Sequence, residues 1–209
     1  MAVLSSHVLV IIGFQLSSLR RAGFDAKQHV TRWLLAAALC FVAASTLQAQ
    51  APARENEVKA TLLFNFCHFV QWPAKAFADD STPFVIGILG RDPFGKFIDD
   101  LVKGEETHGR PIQVRRFSRV EEITTAHLLY VSLSEQGRVR HIIPALGGRP
   151  LLSVGEASEP GFARFGGMVE FTTDRGNIKI RINLDEARNA GLVISTKLLR
   201  LSELARTQN

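Results

Sequence analysis

The sequence predicts a single α/β domain, a mixed and largely parallel sheet flanked by helices, with a C-terminal β-hairpin. Three observations carry that prediction. Short apolar runs bounded by turn residues recur at residues 83–90, 126–132 and 150–154, the pattern of strands buried on both faces. Segments with helical spacing lie between them. Near the end, residues 167–173 and 177–184 flank Asp174-Arg175-Gly176, a short loop with turn chemistry.

Each element follows in order. Residues 50–56 read as a short polar linker. From Glu57, the positions Val58, Leu62, Phe66 and Val70 recur at four-residue spacing, with Leu63 and Cys67 beside them, which predicts an amphipathic helix. Pro73 disfavours a helical Trp72, so the helix is expected to end there. Pro83 to Gly90 is a buried strand. Asp92 suits an N-cap and Pro93 a first helical position, predicting a helix from Pro93 to Val102. Pro111 to Phe117 is the next strand, with a short helix from about Ser118. Ala126 to Ser132 is another buried strand. Ser134 then caps a helix that runs to Leu146 and stops at Gly147-Gly148. Pro150 to Val154 is a further strand. In the hairpin, Ile178, Ile180, Ile182 and Leu184 alternate with Lys179, Arg181 and Asn183, so one face is apolar. Residues 185–190 and 196–205 supply terminal helices, and the domain spans residues 57–205.

The residues before this domain have a different character. Arg20, Arg21, Lys27 and Arg32 precede an uncharged apolar run, Trp33 to Ala44, and small and polar residues follow to Ala49. This is the anatomy of a secretory signal peptide over residues 1–49, and it predicts export to the periplasm. The apolar run is about a dozen residues, short of the roughly 20 that a membrane-spanning helix needs.

Charge must be reckoned without that leader. The whole chain carries 25 Lys/Arg and 20 Asp/Glu, of which four and one lie in residues 1–49, so the remainder is only +2. Nucleic-acid binding, which needs a dense basic surface, loses its support. Arg110, Arg115, Arg116 and Arg119 form the one local excess and read as a solvated strand-and-loop face. Cys67 is the only thiol outside the leader, so no internal disulfide is expected.

The sequence carries few signs of catalytic chemistry. The glycines of Gly87-Ile-Leu-Gly90-Arg-Asp-Pro-Phe-Gly95 do not have dinucleotide spacing, and Asp92 places negative charge where a phosphate would lie. No P-loop or nucleophile elbow is present. His68, His108, His127 and His141 are scattered without metal-ligand spacing. No catalytic residue, cofactor or metal is expected. His127 begins a buried strand and is read as a hydrogen-bonded core residue. Two polar residues sit inside apolar segments, Asn65 in the first helix and Glu170 in a hairpin strand, and burial of either demands a partner. Arg181 on the neighbouring strand is the candidate for Glu170, as an ion pair or as part of a ligand site.

Several of these segments also resemble one family. Glu57-Val-Lys-Ala-Thr-Leu-Leu-Phe-Asn-Phe-Cys-His-Phe-Val-Gln-Trp-Pro73 is similar to the opening helix of YfiR/HmsC-like proteins. Phe84 to Gly90 with Asp92-Pro-Phe-Gly95, then Gly166-Gly-Met-Val-Glu-Phe171, then Arg181 to Leu201, resemble the family's later blocks in the same order. The resemblance implies a non-enzymatic periplasmic protein that often dimerises. It implies a partner as well, the periplasmic sensor region of an inner-membrane diguanylate cyclase, whose restraint lowers cyclic-di-GMP and biofilm formation. Some members carry cysteine pairs, from which this chain departs.

Two readings of function therefore stand. In the first, a regulator presents an exposed apolar patch to its membrane partner, with Phe69 and Trp72 as candidate contacts; ordinary core packing is the alternative for both. In the second, a periplasmic small-molecule-binding module feeds a sensor kinase or transporter. Its pocket would lie at the carboxyl ends of the parallel strands, with Asn65, Arg91, Glu170 and Arg181 as candidate lining.

Overall fold

The computed structural model describes residues 53–157, 161–174 and 177–204; the signal-peptide expectation lies outside them. The first helix, α1, covers residues 53–69. It begins in what was expected to be linker, and it buries Ala60, Leu63, Phe66 and Cys67. Val58 is instead exposed. A four-residue spacing drifts by about 40° per step around a helix of 3.6 residues per turn, so three steps carry the stripe off one face.

α1 also ends earlier than Pro73 alone requires. Val70–Gln71 is a short strand, β1, paired antiparallel with β9, Val193–Ile194. Orphaned carbonyls at the helix end find partners from distant segments. Thr107 Oγ1 donates to Cys67 O at 2.7 Å, Ser195 N to Phe69 O at 2.9 Å, and the His108 ring is 3.2 Å from Val70 O.

The large sheet contains β2 (Phe84–Leu89), β3 (Glu106–Thr107), β4 (Arg110–Phe117), β5 (Leu128–Val131), β6 (Leu152–Glu156), β7 (Val169–Asp174), β8 (Asn177–Ile182) and β10 (Glu203–Leu204). Their spatial order is β10-β8-β7-β6-β5-β2-β4-β3. The run from β7 to β4 is parallel, while β8 joins β7 as the expected antiparallel hairpin. The two-residue strands β3, β9 and β10 were not foreseen; residues 203–204, expected to be helical, pair parallel with β8.

The described residues hold four further α-helices: α2 (Lys96–Val102), α3 (Val139–Leu146), α4 (Leu184–Asn189) and α5 (Thr196–Leu201). α2 begins later than Pro93 because Asp92 Oδ1 accepts from Phe94 N and Gly95 N, closing a turn ahead of the helix. Ser132, rather than Ser134, caps the segment before α3, which opens as a 3-10 stretch, Leu133–Arg138.

Alternation along the strands divides the core. Phe84, Ile86, Ile88, Leu128, Tyr130, Val154 and Phe171 pack with α1, α2, α4 and α5 on one face. Leu89, Leu129, Val131 and Phe162 pack with α3 on the other. Phe162 lies so close to Gly155 and Gly167 that a Cβ would stand 2.5 and 2.1 Å from its ring, and only glycine permits that approach.

Candidate functional site

In this topology β4 lies on one side of β2 and β5 on the other, so the chain reverses direction at the β2/β5 boundary. A ligand is expected outside the carboxyl ends of those strands. Side chains fill the place. A Cβ on Gly90 would lie 2.5 Å from Ser134 Oγ and 2.7 Å from Glu135 Cγ, and Ser134 Oγ accepts from Arg91 N at 2.9 Å. Glu135 is buried; Arg138 approaches its Oε2 at 3.2 Å, but outside hydrogen-bond geometry. Asp92 is held by Arg116, which also reaches Asp99. Two carboxylates and a filled crevice leave no anion cradle there.

The predicted pocket residues do not converge. Glu170 and Arg181 do meet: they face each other across the hairpin, with Arg181 Nη1 3.1 Å from Glu170 Oε2. Glu170 is 2% exposed, and Ala163 N also donates to it. Arg91 lies beyond the end of β2, separated from β7 by β5 and β6. Asn65 belongs to α1, whose Phe66 stacks on Phe171. Glu170 follows Val169 and precedes Phe171, so it points to the opposite sheet face.

Phe69 and Trp72 are partly buried and pack against the core. Trp72 Nε1 donates to His127 O at 2.9 Å, and its ring meets Phe84 edge-on at 4.7 Å. The Lys197 ammonium sits 4.9 Å from the Phe69 ring centroid, within cation–π range. His127 is the core residue expected: Nδ1 accepts from Val85 N at 3.0 Å, and Nε2 faces Ala76 O at 3.1 Å. Accepting at one nitrogen and donating at the other defines the neutral Nε2–H tautomer. Burial, with Arg110 nearby, holds its pKa below the ordinary histidine value.

An exposed apolar surface lies elsewhere. Val58, half exposed, and Phe97, 37% exposed, lie with Glu57, Thr61 and Leu62 around a shallow groove of 290 Å³ between α1 and α2.

α1 also anchors a polar network with no obvious sequence signal. Lys59 is 4% exposed, and its ammonium lies 2.7 Å from Glu55 Oε1 and 2.9 Å from Glu156 Oε2. Tyr130 donates to Glu156 Oε1 at 2.8 Å, and Thr173 donates to Glu55. The network thus ties α1 to β5, β6 and β7. Burial opposes the charge on Lys59, but hydrogen bonds to Glu156 and Glu55 outweigh it and raise its pKa. Burial, then the Glu156 charge, pushes the Tyr130 hydroxyl well above its usual range. The nearest sequence signal is Glu55-x-x-x-Lys59, a helical i, i+4 pair.

Among the described residues, no group of three or more His, Cys, Asp or Glu is arranged to hold a metal, and no helix is long and apolar enough to cross a membrane. A family model described as YfiR/HmsC-like matches residues 56–203. No curated protein matches the chain. Among solved structures, it is similar to a conserved domain protein from Vibrio cholerae O1 biovar El Tor strain N16961, at 12% identity and a TM-score of 0.41. That match covers 58% of this chain and 54% of the other, so it spans about half the length of that protein.

Proposed function

Because this chain belongs to the YfiR/HmsC-like family, we propose that it is a periplasmic, non-enzymatic regulator. It binds the periplasmic sensor region of an inner-membrane diguanylate cyclase and favours that enzyme's inactive state. A binder that prefers one state shifts the population toward it by its differential affinity. The observation that carries this reading is the family match, which covers nearly all of the domain. The α1/α2 groove supports it, because Val58 and Phe97 are large apolar side chains exposed side by side. Phe69 and Trp72 are partly buried against the core, and Val58 and Phe97 join them as contacts. A homodimer belongs to the same proposal.

The test is cellular cyclic-di-GMP in a strain lacking the gene, complemented with the wild type or with Val58→Glu/Phe97→Glu. The wild type should lower the nucleotide and the double variant, exported at equal level, should not. Unchanged cyclic-di-GMP on deletion, with export confirmed in the parent, would refute cyclase restraint. Full activity of the double variant would refute the groove as the contact.

A further inference from the structure

A second cleft, of 240 Å³, lies at the other end of the sheet, where α3 ends and β6 begins. Ile143, Leu151, Phe165 and Met168 supply apolar lining, and Arg149 and Glu186 are the charged residues beside them. Gly166 keeps it open. Its φ is +92°, and a Cβ there would project to 3.4 Å from Ile143 and 3.9 Å from the Glu186 carboxyl carbon.

Local sequence explains why Glu186 faces this space. Asn183 caps α4 and accepts from Glu186 N at 3.3 Å. In a capping box, the glutamate three residues after the cap returns the bond to the cap's own N–H. Here that N–H is already donated to Met168 O at 2.8 Å. The carboxylate of Glu186 is released from its usual partner, and among the described residues it has neither a hydrogen bond nor an ion pair. Arg149, by contrast, is tethered through Nη1 to Ile123 O at 2.8 Å.

We propose that this cleft binds a small organic ammonium ion with an apolar body, the ammonium on Glu186 and the body against Ile143, Phe165 and Met168. The volume is below the roughly 300 Å³ at which drug-sized pockets begin, so a compact ligand is required. A charge-assisted hydrogen bond contributes about ten- to 140-fold in affinity.

The test is calorimetric titration of the full chain with phenethylamine and, separately, 3-phenylpropionate, alongside the methyl NMR signal of Met168. The chain has two methionines, and Met1 is the other, so this reporter is readily assigned. Phenethylamine should bind and shift the Met168 methyl, phenylpropionate should do neither, and Glu186→Gln should weaken the amine at least about tenfold. Absence of amine binding, equal binding of the acid, an unshifted Met168, or undiminished affinity in Glu186→Gln would each overturn the assignment. These outcomes do not bear on cyclase restraint.

Discussion

Replacing Lys59 with methionine keeps its apolar stem and removes the ammonium. The side chain of Lys59 is 5% exposed and that of Glu156 9%, so the carboxylate left behind stays largely out of water. Removing one partner of a buried pair costs about 3–5 kcal/mol. Glu156 retains the Tyr130 hydroxyl, and the Glu55 side chain is about one-third exposed to water; both favour the lower end, about 3 kcal/mol. For a domain of this size that lowers the melting temperature by about 6–12 °C. The double variant Lys59→Met/Glu156→Gln leaves no unpaired charge at Glu156 and should recover more than half of the loss. Urea denaturation of both variants measures it. A single variant within about 1 kcal/mol of wild type, or a double no more stable than the single, would refute a buried charge network. The same network sets an alkaline limit. Lys59 has a raised folded pKa, so its contribution is fully present below the unfolded value of about 10.4 and is lost as pH rises through the folded one. Tyr130, also raised, acts in the same direction from about pH 10. The lysine part of this loss should vanish in Lys59→Met.

Three further outcomes are expected. Trp72→Phe keeps an aromatic ring against Phe84 but loses the donor to His127 O, costing about 1–2 kcal/mol in chemical denaturation with the fold retained. Gly167→Ala drives a methyl into the Phe162 ring and should cost about 1–3 kcal/mol, with Phe162→Leu relieving part of it. His127 is buried neutral with a depressed pKa, so stability present above its unfolded value of about 6.5 should fall as pH drops through the folded value. His127→Gln should remove that dependence, as a denaturation series from pH 7 to 5 will show.

The legibility of the candidate sites follows from how far apart their parts lie in the chain. Glu170 and Arg181 are joined by a hairpin whose short loop sets the register, so period-two alternation alone brings them opposite. Lys59 and Glu156 lie 97 residues apart, and a lysine in a helix reads as exposed by default. Only the placement of β6 beside β5, beneath α1, joins them. Trp72 reads from the sequence as patch or core, and only the fold brings it to the carbonyl of His127, just ahead of β5, which ties its indole to the core. The groove is illegible in the sequence because a strict four-residue stripe assigns Val58 to the core, whereas it is exposed.

The sequence by itself determined the fold class, the order of buried strands, the hairpin and the family, because apolar runs, turn residues and side-chain period are local properties. It determined as well that His127 belongs to the core. The tertiary structure decided which apolar residues remain on the surface, which charges are buried together, and that Ser134 and Glu135 close the crevice between β2 and β5. It also freed the Glu186 carboxylate by giving the N–H of Asn183 to Met168. These outcomes depend on which distant backbone groups and side chains the sheet order brings within hydrogen-bond reach, and no local pattern encodes that.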